Sequence, residues 1–190
     1  IAREMFDFLQ QHQSPFELAD FAEFEARIET PTETTYRGYT VYKQPFNSQG
    51  PMLLQALNIL ENFDLQAMGH NSEDYVHTVI EALKLAYADR DTYYADQDFV
   101  SVPAAGLLSK EYARERAAQI DPTQSSTEFL AGDPLKYDAD VNEWPYWVAG
   151  KDEQPMGSGL SLTQTDFPSS LKDTSHIAII DKDGNVFDST

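Results

Sequence analysis

Two short apolar runs near the end of the chain constrain its fold more than any other feature. Residues 177–180 (IAII) and 186–187 (VF) have the composition of β-strands, and the stretch between them carries an Asp-Gly pair at 183–184. Such a pair favours a tight turn, because glycine tolerates the positive φ that the turn needs. The pattern predicts a β-hairpin that begins just after residues 173–174.

The position of Thr174 before this hairpin indicates one class of chemistry. A threonine is a weak nucleophile unless a base lies beside it, and cutting the Asp173–Thr174 bond would free an α-amine that can be that base. The pKa of such an amine is about 8, so a useful fraction is neutral at physiological pH. Taken alone, however, these residue types fit an ordinary strand start better than a reactive site.

Composition narrows the classes of function that remain. The chain has 190 residues, 41% of them apolar, enough for one domain with a core. A net charge of −19 argues against nucleic acid and anionic membranes as partners, and no run of about 18 apolar residues predicts a membrane span. The absence of cysteine excludes disulfides, thiolate metal sites and a cysteine nucleophile. The histidines at 12, 70 and 77 are isolated, so we expect neither a metal site nor a cofactor.

The first 122 residues have mainly helical patterns. Ser14, Pro15 and Glu17 fit a helix start, with Ser14 as cap and Glu17 at the capping-box position. Pro51 fits the first turn of a second, nearly all-apolar helix that should end around residues 64–69, and a strand is expected at residues 39–42. Two further helix caps are expected, at Asn71 or Ser72 and at Ser109.

The helix that follows Ser72 has a clear apolar stripe, which predicts its buried face. The stripe consists of Val76, Val79, Ile80, Leu83, Ala86 and Tyr87. The charged residues Glu81, Lys84, Asp89 and Arg90 are expected mostly on the opposite, solvated side.

Periodicity fades between residues 123 and 173, where prolines and glycines accumulate. So long a connection is unusual inside a compact domain and is usually functional or disordered. We therefore divide the chain into a mainly helical region (1–122), an extended or mobile lead-in (123–173) and a first hairpin (174–190). Because residues 1–5 have the character of a mid-helix segment, the chain is expected to be a fragment of a longer protein.

Several motifs, in order, resemble the γ-glutamyltranspeptidase family. They are residues 36–42 (YRGYTVY), 57–65 (LNILENFDL), 81–90 (EALKLAYADR), 98–100 (DFV), 107–113 (LLSKEYA) and 176–185 (HIAIIDKDGN). Each motif is weak by itself, but together and in this order they are specific.

The resemblance implies an N-terminal nucleophile hydrolase with an α/β/β/α sandwich, of which this α+β chain would supply a part. A precursor of this family cuts itself before a threonine, here between Asp173 and Thr174, into a large and a small subunit. Thr174 would then attack a γ-glutamyl amide such as glutathione, and water or an acceptor amine would resolve the intermediate. The remaining large- and small-subunit sequence would be needed as partner, and a periplasmic or extracellular location is favoured.

Departures from the family pattern leave the substrate open. Ser175 replaces a threonine that often follows the nucleophile, and residues 44–50 (QPFNSQG) replace a Pro-Pro-Ser-Ser-Gly-Gly loop. The chain could belong to a γ-glutamyl hydrolase, a cephalosporin-type acylase, a poly-γ-glutamate depolymerase or an inactive relative. The alternative from another class is a non-catalytic helical interaction module.

Overall fold

The computed structural model describes residues 1–141 and the backbone of two strands, Ile177–Ile180 and Val186–Ser189. The chain divides into two units, Ile1–Lys151 and Asp152–Thr190. In the first unit the elements are α1 (Ala2–Gln11), α2 (Leu18–Glu23), β1 (Thr32–Tyr36), β2 (Tyr39–Lys43), α3 (Gly50–Leu60), α4 (Leu65–Met68), α5 (Glu73–Tyr93), α6 (Ala104–Leu108), α7 (Lys110–Ala117) and a 3₁₀ helix (Pro134–Tyr137). This mixture confirms the α+β class. Within the described residues, no helix combines the length and apolar character needed to cross a membrane.

Strands β1 and β2 form an antiparallel hairpin with a two-residue turn. Tyr36 pairs with Tyr39, and Arg37 and Gly38 between them have φ angles of 48° and 86°. Positive φ at both central residues is the geometry that matches the twist of a hairpin, and it explains the glycine. The strand expected at residues 39–42 is confirmed, whereas the threonine-rich partner β1 was not predicted.

Helix α3 lies at the centre of the first unit and contacts α5, α7 and β1. Two clusters of buried side chains form the core. The first contains Ile59, Leu60, Ala82, Ala113 and Ala117, and the second contains Phe46, Tyr93, Val102, Leu107 and Tyr112. Small alanines on α5 and α7 allow these helices to approach α3 closely, so the first cluster forms where the three helices meet.

Local signals for helix starts are largely confirmed. Pro51 lies in the first turn of α3, where its missing N–H costs nothing. The Ser72 hydroxyl accepts a hydrogen bond from the Tyr75 N–H at 3.1 Å, and Ser109 accepts one from the Tyr112 N–H at 3.0 Å. Each serine thus satisfies one of the backbone donors left open at a helix N-terminus.

Two helix boundaries differ from the sequence prediction. Helix α2 begins at Leu18 with Glu17, not Ser14, as its N-cap, and the Glu17 N–H donates to Asp20 Oδ2 at 2.7 Å. Asp20, three positions after the N-cap, therefore accepts the capping-box hydrogen bond that was predicted for Glu17. Helix α3 ends at Leu60, before the expected range, and the separate four-residue helix α4 follows it.

The predicted orientation of α5 is only partly correct. Ala86 of the predicted core stripe is fully buried and Val79 packs against a core cluster. However, Val76, Ile80 and Tyr87 are exposed, whereas Glu81 and Asp89 are buried. The reason is that α5 has apolar side chains on both faces, and α3 packs on the face that contains Ala82 and Ala86. Charged residues on that face are tolerated because they have partners in other segments.

In the second unit, β3 (Ile177–Ile180) and β4 (Val186–Ser189) form an antiparallel pair. Ile177 pairs with Ser189, and Ile180 pairs with Val186. The antiparallel pairing predicted for the two apolar runs is confirmed, and the Asp-Gly pair between them lies outside the described residues.

Candidate functional site

The predicted junction, Asp173–Thr174, lies outside the described residues. Strand β3 begins three residues after Thr174. On the other side of the junction, the structure describes the lead-in as far as residue 141. Residues 125–138, called the anchored segment below, are fixed to helices of the first unit at three places.

The first attachment is at Gly132, whose backbone is bound on both sides. Its N–H donates to Asp89 Oδ1 at 2.9 Å, and its carbonyl oxygen accepts a bond from the Tyr93 hydroxyl at 2.8 Å. A Cβ atom at this position would lie 2.3 Å from the Tyr112 hydroxyl oxygen and 2.9 Å from Arg116 Cδ. Only glycine allows the chain to approach α7 this closely.

Arg116 of α7 also takes part in this attachment. Its Nη2 lies 3.2 Å from Asp89 Oδ1 and donates to the carbonyl oxygen of Leu130 at 2.9 Å. Asp89 is 0% exposed and Arg116 is 1% exposed. Gln55 of α3 donates to the second carboxylate oxygen of Asp89 at 3.2 Å. Arg116 Nε has no hydrogen-bond partner among the described residues, but the bonds to the other polar atoms of the pair help to make its burial tolerable.

Burial is the main cause of the pKa shifts in this cluster. It raises the pKa of Asp89 above the ordinary value, although the positive charge of Arg116 opposes the increase. Burial and the neighbouring Asp89 charge also raise the pKa values of Tyr94 and Tyr112. Both phenols are therefore protonated at neutral pH and can donate hydrogen bonds but cannot act as bases. The cluster is suited to holding the chain in place.

The second attachment joins Glu81 of α5 to Ser125 and Ser126. The Ser125 hydroxyl donates to Glu81 Oε1 at 2.8 Å, and Lys84 Nζ donates to the same carboxylate and to the Ser126 carbonyl oxygen, both at 2.6 Å. Burial alone would raise the pKa of Glu81, but Lys84, the Ser125 hydroxyl and the Ser126 N–H together lower it. The carboxylate is therefore ionised at neutral pH.

The third attachment lies at the end of the segment. The Gly106 N–H of α6 donates to Asp138 Oδ2 at 3.2 Å, and Asp138 itself is buried. The Tyr137 hydroxyl donates to Glu115 Oε2 at 2.8 Å. The lead-in is thus attached to α5, α6 and α7 as far as Asp138.

Among residues 1–141, no group of three or more histidine or acidic side chains is placed to hold a metal ion. A polar cleft of about 570 Å³ lies where Arg27 pairs with Asp98 at 2.7 Å, with Asp96 also on its wall. None of the residues that line this cleft belongs to the predicted junction.

The family model described as Gamma-glutamyltranspeptidase matches residues 1–190 of this chain. The chain belongs to the γ-glutamyltranspeptidase family. The resemblance deduced from the ordered motifs is thereby confirmed, and the match includes the predicted junction and the hairpin that follows it.

Curated relatives in this family include enzymes with two kinds of name. The glutathione hydrolase proenzyme of Escherichia coli (strain K12) is 38% identical over 168 residues, which are 87% of this chain and 28% of the relative. The acylase ACY 1 proenzyme of Pseudomonas sp. (strain SE83) is 32% identical over 191 residues, covering 100% of this chain and 28% of the relative. The chain therefore spans little more than a quarter of these proteins.

Solved structures of the family have the same local fold. Helicobacter pylori γ-glutamyltranspeptidase matches with a TM-score of 0.61 and 34% identity, over 66% of this chain and 36% of that one. The cephalosporin acylase of Bacillus halodurans matches with a TM-score of 0.63 and 34% identity, over 70% of this chain and 24% of that one.

The residues that sequence reasoning missed are the partners of the anchored segment. Asp89 was predicted on the solvated side of its helix, Arg116 was not singled out, and Gly132 falls in the region predicted to be an extended or mobile lead-in. The sequence does contain a signal for them. A helix that is apolar on both sides buries some of its charged residues, and buried carboxylates such as those of Glu81 and Asp89 need partners.

Proposed function

We propose that this chain carries the self-processing junction of a γ-glutamyltranspeptidase-type enzyme, with Thr174 as the nucleophile. The observation that carries the proposal is the family match over residues 1–190, which runs through Asp173–Thr174 into the β3–β4 hairpin. The relatives named proenzymes support it. On this proposal, residues 1–122 belong to a large subunit, residues 123–173 lead to the junction and residues 174–190 begin a small subunit.

The proposed cleavage consumes one water molecule and no other reagent, and a base must take the proton of the Thr174 hydroxyl and return it to the departing nitrogen. The Thr174 hydroxyl oxygen attacks the carbonyl carbon of Asp173, the C–N bond breaks, and the acyl group moves from nitrogen to oxygen. Water then hydrolyses the ester, leaving a carboxylate on Asp173 and a free amine on Thr174. This amine, with a pKa of about 8, is then the general base for the adjacent hydroxyl.

The proposed reaction is transfer of a γ-glutamyl group from an amide of the glutathione type. The Thr174 oxygen would form an ester with the glutamyl group and release the amine of the substrate, and water or an acceptor amine would cleave that ester. Acyl transfer of this kind needs donors for the oxyanion and a clamp for the substrate. We assign both to large- and small-subunit sequence outside this chain, within an α/β/β/α sandwich.

A second candidate function is hydrolysis of a cephalosporin-type amide. It is favoured by the likeness to the cephalosporin acylase of Bacillus halodurans and by the acylase ACY 1 proenzyme, whose match covers 100% of this chain. The nucleophile would be the same and only the acyl group would differ. An assay of the processed full-length enzyme with γ-glutamyl-p-nitroanilide and with a cephalosporin side-chain amide separates the two functions by their ratio of kcat/KM.

The test of the nucleophile is a pair of substitutions in the full-length protein. Thr174→Ala should leave the chain uncut, whereas the neighbouring Ser175→Ala, a matched loss of one hydroxyl, should still be cut. Cutting of Thr174→Ala at the same bond would refute the assignment. A wild-type protein that stays whole on long incubation would instead favour the non-catalytic module or an inactive relative.

A further inference from the structure

A charged cleft in the first unit has the size and the lining of a small-molecule site. It is the cleft of about 570 Å³ at the Arg27–Asp98 ion pair, and its walls are residues 27–32, residues 45–47, residues 96–98 and part of α6. Pockets for small ligands have volumes of about 300–1,000 Å³ and combine apolar walls with a few charged or polar groups. The charged cleft meets both conditions.

Arg27 supplies the positive charge of the cleft. Its Nη2 donates to Asp98 Oδ2 at 2.7 Å, but a guanidinium has five N–H donors in a planar fork. The Arg27 side chain is 66% exposed, so the donors that Asp98 does not use are accessible to a ligand. Arg27 can therefore bind a second carboxylate without losing the first.

Carboxylates outnumber the guanidinium in this cleft. Glu29, Asp96 and Asp98 all line it. The hydrogen bond to Asp98 raises the pKa of Arg27, and the charges of Glu29 and Asp96 add to the increase, so both of these carboxylates lie within range of the guanidinium. An excess of negative charge in a cleft attracts ligands that carry a positive group.

The acidic wall is ordered by its own backbone. The Asp98 N–H donates to Asp96 Oδ1 at 2.9 Å, and the carbonyl oxygen of Asp96 accepts the N–H groups of Phe99 and Val100, both at 3.0 Å. Val100 is buried, which joins this turn to the core. A wall that is ordered before binding loses little conformational entropy when a ligand arrives.

The floor of the cleft is apolar and belongs to the core. Phe46 is 2% exposed, and Ala104 and Leu108 pack against the same buried cluster. All three residues line the cleft. An aliphatic group that enters the cleft can therefore leave water by packing on this floor.

We propose that the charged cleft binds a small amphoteric molecule, which carries an ammonium group and a carboxylate on a short aliphatic body, as a free amino acid does. The ligand carboxylate pairs with the N–H groups of Arg27 that Asp98 leaves available. The ammonium group pairs with Asp96 and Glu29, and the aliphatic body lies on the apolar floor. The proposal does not depend on self-cleavage.

Two other classes of ligand fit the cleft less well. A phosphate or another simple anion would meet three carboxylates and only one guanidinium. A metal ion would need several acidic or histidine side chains around one point, and residues 1–141 contain no such group of three or more. A ligand with both charges is the class that satisfies both charged walls.

The test is calorimetric titration of the full-length protein with three probes. ε-Aminocaproate has both charges, caproate lacks the ammonium group, and hexylamine lacks the carboxylate. We expect ε-aminocaproate to bind about tenfold more tightly than either, or better, because each missing charge removes a charge-assisted hydrogen bond. Equal affinities would overturn the proposal. Undetectable binding of ε-aminocaproate would also overturn it, and would indicate that other parts of the polypeptide fill the cleft.

The variant Arg27→Ala determines where the probe binds. In this variant, ε-aminocaproate should bind no more tightly than hexylamine binds to the wild-type protein. The matched control is Arg114→Ala, which removes another exposed arginine from an ion pair, here with Glu111 at 3.0 Å on α7. The control should keep the wild-type affinity. The same affinity in both variants would place the probe outside the cleft and would overturn the proposal.

Hydrogen exchange in unsubstituted protein provides evidence that does not depend on how a variant folds. Saturating ε-aminocaproate should slow exchange of the backbone amides in residues 96–100 and 104–108 at least about twofold. Unchanged exchange in both segments, while heat of binding is observed, would contradict the proposal. We expect the same protection in uncut Thr174→Ala protein, so this result is separate from that of the processing test.

Discussion

The N-terminal helices and the anchored segment differ in what holds them. Helices α1 and α2 are regular, but neither contains a buried residue, and large apolar side chains such as Met5, Phe8 and Phe16 are exposed. The anchored segment has only one short 3₁₀ helix, yet buried groups of α5, α6 and α7 bind its backbone and side chains.

Forming a regular helix and being held in place by the rest of the fold are therefore two separate properties of a segment. Helix α2 has a capping box and α1 has no side-chain cap, and such local features do not determine what these helices pack against. The anchored segment has almost no regular structure, and its position is specified by a few buried polar groups. Substitutions of those groups should therefore affect the fold far more than substitutions in the N-terminal region.

The largest effect is expected for Asp89→Asn, measured in full-length protein. Removing this charge leaves Arg116 buried without its counter-ion, which costs about 3–5 kcal/mol in the free energy of unfolding. Denaturant titration measures the loss. The control is Asp91→Asn on the same helix, whose side chain is 65% exposed and whose loss should stay within about 0.5 kcal/mol. Equal losses in the two variants would show that the buried pair does not anchor the segment.

Gly132→Ala is expected to have the next largest effect. The added methyl group would lie 2.3 Å from the Tyr112 hydroxyl oxygen, and relieving such a clash by shifting backbone costs about 1–3 kcal/mol. Combining it with Tyr112→Phe, which removes that oxygen, should recover part of the loss in a double-mutant cycle. If Gly132→Ala alone is neutral, the close approach of the segment to α7 is incorrect.

A pH effect is expected at the Glu81 attachment. Because the folded-state pKa of Glu81 lies below its ordinary value of 4.5, its stabilising contribution is present above pH 4.5 and is lost as the pH falls further. Hydrogen exchange at the Ser126 amide should therefore accelerate, relative to its intrinsic rate, as the solution is acidified below pH 4.5. Glu81→Gln should exchange faster already at neutral pH and show a weaker pH dependence. Identical profiles would rule out the Glu81 contact.

The smallest effect is expected in the N-terminal region. Arg27 forms an exposed ion pair with Asp98 at 2.7 Å, and such pairs contribute little because water and salt screen them. Arg27→Ala should leave the free energy of unfolding without measurable change. A loss comparable to that of Asp89→Asn would mean that the two regions are held equally firmly.

Sequence reasoning was accurate where the cause is local. Ser72, Ser109 and Pro51 act through neighbours within one helical turn, and the β3–β4 hairpin follows from its own strands and turn. The burial of Asp89 depends on Arg116 and Gly132, 27 and 43 positions further along the chain, and no periodic pattern indicates such a partnership. The cap of α2 was misplaced because Ser14 and Glu17 offer competing local bonds.

The junction itself was predicted from ordered motifs. Thr174 and Asp173 were proposed because the residues on both sides resemble the γ-glutamyltranspeptidase family, and the family match is confirmed over residues 1–190. The oxyanion donors and the substrate clamp could not be predicted, because no motif of this chain identifies them.

The most direct test of the account is the mass and N-terminal sequence of the fragments formed by the full-length wild-type protein. We expect two fragments, the smaller of which begins with Thr174-Ser175-His176. A smaller fragment that begins at another residue, or a chain that remains whole, would contradict the assignment of Thr174 as the nucleophile.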